Sequence, residues 1–342
     1  MNNKEIFMKR AIQLAKNGLG LTSPNPMVGC VIERNGFIIS EGWHYKKGMD
    51  HAEVNAINRI KNKHLFLDST LYVTLEPCVH FGGTPPCVDL IIKNNIPRVV
   101  IGIQDPCDKV RGLGIQKLKE FGIEVIENLL KDQCRILNKR FFTFHEKNRP
   151  YIILKWAQSH DGFIDSKNKK NAWISGIYAR QLNHKWRSEE DSILVGRKTV
   201  LNDNPKLNVR EWFGSNPIRI FLDKELSIST SYFILDGSQK TIVFTEKKKE
   251  NQKNTEYVKI SFDKKIINHI LDFLYKKNIL SLIVEGGKKT LESFIKENIW
   301  DECRIFICDV TLKNGLIAPR IGGKILKKMF LGKDQLFVKI YC

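Results

Sequence analysis

Three side chains that lie far apart along this chain have to meet in space. They sit in His51-Ala52-Glu53, in Pro77-Cys78 and in Pro86-Cys87. One imidazole and two thiolates form a borderline-to-soft ligand set that suits zinc. Any fold the chain adopts must therefore bring one histidine and two later cysteines to a single point. Three protein ligands leave a coordination position for water, as catalytic zinc requires, whereas a closed structural site uses four. Glu53 stands close enough to the histidine to move protons at that water. Zinc-activated water beside a non-ligating glutamate is the chemistry of hydrolytic deamination at a nucleobase carbon. The competing reading is a folding zinc with His80 or His44 as fourth ligand, and such a site would have no use for Glu53.

Helical residues i and i+2 point to different faces. His51 and Glu53 can thus share one metal only if His51 precedes the first helical turn, which the turn-like Lys47-Gly48-Met49-Asp50 permits. Pro86 is suited to introduce a helix at Cys87, where the positive end of the helix dipole favours a thiolate.

A length of 342 residues favours two domains over one core. No apolar run approaches a membrane span, and the amphipathic start of the chain lacks the apolar region of a secretory signal, so no membrane role is expected. The eight cysteines follow no regular framework: two belong to the metal set, and Cys30, Cys303 and Cys308 lie in apolar runs. A reducing cytoplasm is the expected compartment. The formal charge of +19 comes from lysines spread along the whole chain, without the interleaved aromatics of an RNA-binding motif. It reads as solvated surface, useful for a phosphorylated small substrate, and no nucleic-acid partner is expected.

Strand and helix patterns alternate almost throughout. The first half reads as a strand pair over 28–33 and 37–40 around Asn35-Gly36, a helix over 51–62 and a strand over 71–75. A helix over 87–95, a strand over 99–103 and a short helix over 114–121 complete an α/β layered domain. The stretch 131–149 carries mixed charge and aromatics and closes on Arg149-Pro150, where proline disfavours helix at the preceding residue. The expected domains are therefore 1–148 and 149–342. Strands over 151–156, 192–195, 218–222, 241–245, 282–284 and 305–310 follow, with helices over 178–188, 266–277 and 289–297. This predicts a mostly parallel sheet with crossover helices.

The segment Pro77-Cys78-Val79-His80-Phe81-Gly82-Gly83-Thr84-Pro85-Pro86-Cys87 spaces its cysteines more widely than most cytidine-type deaminases do. It resembles the deaminases of riboflavin biosynthesis, as do Ser23-Pro24-Asn25-Pro26-Met27-Val28-Gly29-Cys30 and Gln104-Asp105-Pro106. Gly83 stands where that family usually has Lys or Arg, with Lys46 and Lys47 as nearby basic residues. The second half continues the likeness in Leu154-Lys155-Trp156-Ala157-Gln158-Ser159-His160-Asp161-Gly162, Trp173-Ile174-Ser175, the run 195–205 and Val284-Glu285-Gly286-Gly287. Nearly the whole chain is thus similar to the bifunctional deaminase–reductase family of that pathway.

The resemblance implies an N-terminal cytidine-deaminase-like αβα layer domain and a C-terminal dihydrofolate-reductase-like α/β domain. It implies one Zn2+ per chain on His51, Cys78 and Cys87, with Glu53 as the catalytic acid–base. NADPH would meet Ala157, Trp173, Thr199, Asp203 and the turn from Gly287 onward. Asp203 is also a candidate proton relay. Substrate would meet Asn25 and His44 in the first domain, and Asn171, Arg187, Leu207, Arg210 and Glu285 in the second. The substrate would be a phosphoribosylated diaminopyrimidinone, first deaminated, then reduced from ribosyl to ribityl. A homodimer through the second domain is expected. Independently of the family, a glycine turn between strand and helix lets backbone amides approach phosphate, and paired arginines can fork its oxygens. The rival functions are a tRNA or nucleoside deaminase with an accessory domain, a chain with one inactive half, and a zinc-stabilised binding module without activity.

Overall fold

In the computed structural model the described residues are 3–81, 85–108, 110–166 and 174–341. The chain divides into two compact units, Met1–Asn148 and Arg149–Cys342.

Unit 1 runs α1 (Asn3–Ala15), β1 (Gly29–Arg34), β2 (Phe37–Trp43), α2 (Ala52–Asn58), β3 (Thr70–Val73), α3 (Cys87–Lys93), β4 (Arg98–Ile101), α4 (Leu113–Glu120), β5 (Glu124–Ile126), α5 (Lys131–Leu137) and α6 (Lys139–Lys147). The sheet order is β2-β1-β3-β4-β5. β1 is antiparallel to both neighbours, and β3, β4 and β5 are parallel. Strand alternation sends Cys30, Ile32, Leu71, Val73, Val99 and Ile101 to one face, where α2, α3 and α4 cover them with Ala56, Ile57, Val88, Ile91 and Leu118. The alternate residue Tyr72 meets Phe7 of α1 on the opposite face, with ring centroids 5.2 Å apart. The layers are therefore αβα. The Asn35-Gly36 turn has positive φ at both residues, as a tight hairpin needs.

Two details differ from expectation. The helix expected over 51–62 is shorter, and His51 is its N-cap in extended conformation (φ −70°, ψ 164°). The stretch 131–149, to which the sequence reading assigned no element, is helical. It forms α5 and α6, which bury Cys134, Leu137, Phe141, Phe142 and Phe144.

Unit 2 runs β6 (Tyr151–Ser159), β7 (Phe163–Ser166), α7 (Ile177–Glu189), β8 (Ser192–Val195), α8 (Arg197–Asp203), β9 (Ile218–Leu222), β10 (Thr241–Thr245), β11 (Thr255–Lys259), α9 (Ile266–Lys276), β12 (Ser281–Gly286), α10 (Lys288–Lys296), β13 (Glu302–Cys308), β14 (Gly315–Ile317), β15 (Lys324–Leu331) and β16 (Asp334–Ile340). The main sheet is ordered β11-β10-β9-β8-β12-β6-β13-β16-β15, and β14 pairs with β7 apart from it. The run from β11 to β13 is parallel, while β16 and β15 close the edge antiparallel. Central strands are apolar on both faces because both are covered. Ile152, Leu154, Leu194, Ile220 and Val284 pack with α9 and α10. Ile153, Ile193, Val195, Phe221 and Ile283 face Ala179 and Trp186 of α7 and Val200 of α8. The lysine-bearing β15 escaped the sequence reading because an exposed edge strand shows no apolar alternation. Among the described residues no helix is long and apolar enough to cross a membrane.

One buried side chain ties the 22–28 loop to the rest of unit 1. Asn138 accepts from the Met27 amide and donates to the Met27 carbonyl, both at 2.8 Å. Replacing Asn138 with Ala strands both backbone groups. The expected loss is about 2–4 kcal/mol, read as a lower urea midpoint for unit 1; an unchanged midpoint would contradict this role.

Candidate active sites

The C-terminal end of β3 leads into Glu76-Pro77-Cys78, and α3 begins at Cys87 with Pro86 as its N-cap. Cys78 Sγ lies 3.6 Å from His51 Nδ1, and Cys87 Sγ lies 3.3 Å from the same nitrogen. All three ligand atoms fall within 4.8 Å of one another. Among the described residues this is the cluster of His, Cys, Asp or Glu side chains that could hold a metal. The Cys87 amide donates to Cys78 Sγ at 3.4 Å, so the start of α3 supports the first sulfur as well as carrying the second. His51 is held in turn by its own neighbourhood: Asn55 Nδ2 donates to the carbonyls of Trp43 and Asp50, fixing the turn ahead of it.

The electrostatics of the trio suit a dication. Hydrogen bonding to Cys87 and to His51 pushes the Cys78 thiol down against the effect of burial. The Cys87 thiol rises in consequence, its bond to Cys78 being the main cause and burial the second. His51 rises to about 9, first through Cys78, against burial. Negative charge thus settles on the Cys78 sulfur, one of the two that a borderline-soft cation would take as ligands. Glu53 is buried, and burial pushes its carboxyl up to about 7 while His51 draws it down.

Asn25 and His44 stand beside these ligands. The His44 and His51 rings meet edge to face with centroids 5.5 Å apart. His44 Nδ1 donates to the Asp50 carbonyl at 3.0 Å, which leaves Nε2 as acceptor for Asn25 Nδ2 at 3.2 Å. Burial lowers the His44 pKa, in keeping with a neutral ring. With both nitrogens engaged, His44 is no fourth ligand; His80 is exposed. Asp105 is also buried here, and burial pushes its carboxyl up to about 7. Gly83 lies outside the described residues, and Lys46 and Lys47 are exposed.

In unit 2 Ala157, Gly196, Glu285 and Gly287 lie at the carboxyl ends of β6, β8 and β12, where the chain direction across the sheet switches. Open α/β sheets bind ligands at such a point. Ala157 lies near the end of β6, Gly196 follows β8, and Glu285-Gly286-Gly287 ends β12. The Gly286–Gly287 peptide is cis. Gly196 donates to the Gly286 carbonyl at 2.7 Å, so the starts of α8 and α10 lie side by side. A Cβ at Gly196 would lie 2.5 Å from Thr290 Oγ1, so any larger residue there would force Thr290 to move. Thr199 belongs to the same turn, its Oγ1 3.2 Å from where a Gly287 Cβ would be. Asp203 ends α8. The cradle of small residues and helix starts fits a dinucleotide phosphate.

Next to it, Arg187 forks Glu285: Nε to Oε1 at 3.2 Å and Nη2 to Oε2 at 2.7 Å. Arg187 Nη1 donates to the Asn208 carbonyl at 3.3 Å. Burial pushes the Glu285 carboxyl up, but Arg187 and Lys155 overcome it and hold it down at about 2. Arg210 faces Arg187, and partial burial followed by that like charge lowers its pKa. His184 accepts from the Arg210 amide at 3.4 Å and is pushed down to about 4 by burial, then by both arginines. Leu207 is buried with φ +49°, its carbonyl taking a hydrogen bond from Gln239. Asn171 and Trp173 lie outside the described residues.

Sequence reading passed over Lys155, His184 and Asn183, the last of which hydrogen-bonds the Glu285 carboxylate. Lys155 had a signal. In β6 it alternates with Leu154 and Trp156, so it points to the covered face with Ile153 and Ala157, where a lysine needs a partner. Asn183 and His184 had none, because one polar residue on a helix resembles another until the partner across the site is known.

Residues 1–103 match the family model for the cytidine and deoxycytidylate deaminase zinc-binding region, and residues 150–315 match that for the RibD C-terminal domain. Over 329 residues the chain is 41% identical to the riboflavin biosynthesis protein RibD of Aquifex aeolicus, covering 94% of this chain and 91% of that one. Its counterpart in Bacillus amyloliquefaciens is 37% identical over 335 residues, covering 95% and 90%. Among solved structures, a diaminohydroxyphosphoribosylaminopyrimidine deaminase/5-amino-6-(5-phosphoribosylamino)uracil reductase from Thermotoga maritima is similar with a TM-score of 0.91. It is 37% identical and the match covers 99% of each chain. RibD of Acinetobacter baumannii gives a TM-score of 0.90 at 31% identity, covering 99% and 98%.

The Arg187–Glu285 pair makes a pH prediction. A carboxyl held below its ordinary 4.5 contributes stability that is complete above that value and is lost as pH falls toward about 2. Arg187→Ala leaves Glu285 buried with one cationic neighbour fewer. Unit 2 should lose roughly 3 kcal/mol at neutral pH, and its acid-sensitive window should move upward. A variant with unchanged thermal unfolding from pH 3 to about 7 would refute the pairing.

Proposed function

The chain belongs to the RibD family of riboflavin-biosynthesis proteins, and from that membership we propose how its two units divide two consecutive reactions. It is a bifunctional enzyme, deaminase and reductase, that uses zinc and NADPH. We assign deamination to 1–148 and reduction to 149–342, in line with the residues the two family models match.

The observation that carries the first assignment is the convergence of His51, Cys78 and Cys87 beside buried Glu53. Those three side chains would hold the zinc. When bound, zinc makes water a nucleophile at neutral pH. Glu53 takes the first proton from the attacking water and gives it to the ring nitrogen, then carries the second, from the added hydroxyl, to the amine, so that ammonia departs and a carbonyl remains. Asn25 and His44, locked to each other, present a fixed polar edge to the pyrimidine. The substrate in this reading is the phosphoribosylated diaminopyrimidinone.

In unit 2, bound NADPH would supply the hydride that converts the ribosyl group to ribityl. Ala157, Thr199, Asp203 and the turn from Gly287 position the cofactor, with Trp173 as a further contact. Arg187, braced by Glu285, and Arg210 present guanidinium groups to the phosphate. Leu207, Asn171 and Glu285 complete the substrate contacts, and Asp203 is the candidate proton relay. In this reading the enzyme works in the reducing cytoplasm as a homodimer through unit 2, without nucleic acid; cysteines Cys30, Cys107, Cys134, Cys303 and Cys308, apart from the metal pair, are free thiols, in line with that compartment.

Glu53→Gln keeps the shape and removes the acid–base group. It should abolish ammonia release while NADPH oxidation on already deaminated substrate stays within about twofold of the parent. Retained deamination would remove Glu53 from its role. A zinc chelator should silence ammonia release from the parent protein and spare the same reductase assay. Insensitivity to chelation would sink the metal assignment.

A further inference from the structure

Glu76 takes no part in the reaction as proposed, yet it is 3% exposed and lies two residues before Cys78. Its carboxylate accepts four backbone amides. Gly114 and Ile115 donate to Oε1 at 2.9 and 3.2 Å, and Gly112 and Asp105 to Oε2 at 3.0 and 3.2 Å. Three of the donors form the start of α4, and the fourth belongs to the loop carrying Asp105. The Glu76 amide donates to the Ile103 carbonyl at 3.0 Å, so backbone and side chain both grip the same loop. A buried carboxylate with this many charge-assisted bonds is a rigid fixture.

The grip extends to both sulfurs. A Cβ on Gly114 would lie 2.3 Å from the Pro77 carbonyl oxygen, so α4 presses directly on the peptide that leads to Cys78. On the far side, Val88 donates to the Cys78 carbonyl at 3.2 Å and Cys87 to its sulfur at 3.4 Å. Contacts thus run without a gap from α4 through Glu76, Pro77 and Cys78 to the start of α3 and Cys87.

We propose that Glu76 is a positioning residue of the deaminase centre: it sets where Cys78, and through it Cys87, stand relative to α4 and the loop of Asp105. This rests on the metal assignment made above. Glutamine is the informative replacement because its size is the same. One of its two terminal atoms is an NH2 group, which would face two amide donors where the carboxylate accepted both. The substitution converts two hydrogen bonds into a donor–donor conflict while the side chain stays the same length.

The test uses the full chain loaded with zinc. Three quantities are followed: transfer of zinc to a chromogenic chelator, kcat and KM for ammonia release, and NADPH oxidation on deaminated substrate. Glu76→Gln should release zinc roughly tenfold faster and lower the deaminase kcat about 10–100-fold, with KM changed much less and the reductase rate intact. Gly114→Ala keeps the carboxylate but pushes α4 off Pro77, and should shift zinc release in the same direction. Zinc release and kcat at parental values in Glu76→Gln, whatever happens to its unfolding temperature, would overturn the proposal. If Glu76→Gln does not fold, parental zinc release from Gly114→Ala does so instead. A parent chain that neither holds zinc nor releases ammonia would be a different failure, that of the metal assignment itself.

Discussion

Parallel strands cannot be joined by tight turns. Each must be followed by a crossover that carries the chain back to the starting edge. The crossover leaves the carboxyl end of a strand beside the start of a helix, and both sites are built from that junction. In unit 1 the end of β3 delivers Cys78 to the first residue of α3, while His51 waits at the start of α2. In unit 2 the ends of β8 and β12 lie against the starts of α8 and α10, and Gly196 bonds to Gly286 across them. Helix starts offer unpaired amides and a favourable field for negative charge. Thiolates, phosphates and carboxylates collect there for one physical reason.

Two buried glutamates show how context divides a single residue type into two tasks. Glu53 sits where burial outweighs the attraction of His51, and its carboxyl moves up to about 7. Glu285 is nearly as enclosed, its side chain 10% exposed, but Arg187 and Lys155 reverse the effect of burial and hold it down at about 2. The first can exchange a proton near neutral pH. The second stays charged and holds the Arg187 guanidinium through two hydrogen bonds. What separates them is the charge within a few ångströms, not the distance to solvent.

Much of this was legible in the sequence. His51, Cys78 and Cys87 advertised themselves because few residue types ligate zinc and because Glu53 stood nearby. The central strands of unit 2 were plain as well, since strands covered on both faces are apolar almost without interruption. Other parts left no readable mark. α5 and α6 were obscured by surface charge, and β15 is an exposed edge whose partner β16 lies beyond a turn. Asn138 is an ordinary polar residue until its side chain is seen clasping both backbone groups of Met27.

By itself the sequence determined which chemistry the chain could host, because ligand type, the glutamate beside it and the glycine turns are properties of residues and short spacings. It also determined the alternation that makes two layered α/β units. Only the tertiary structure decided which polar side chains meet. Glu285 faces Arg187, Asn25 faces His44, and Glu76 gathers amides from residues 105 to 115. Such pairings depend on packing between segments remote in sequence, and no local pattern encodes the distance between two atoms that the fold alone brings together.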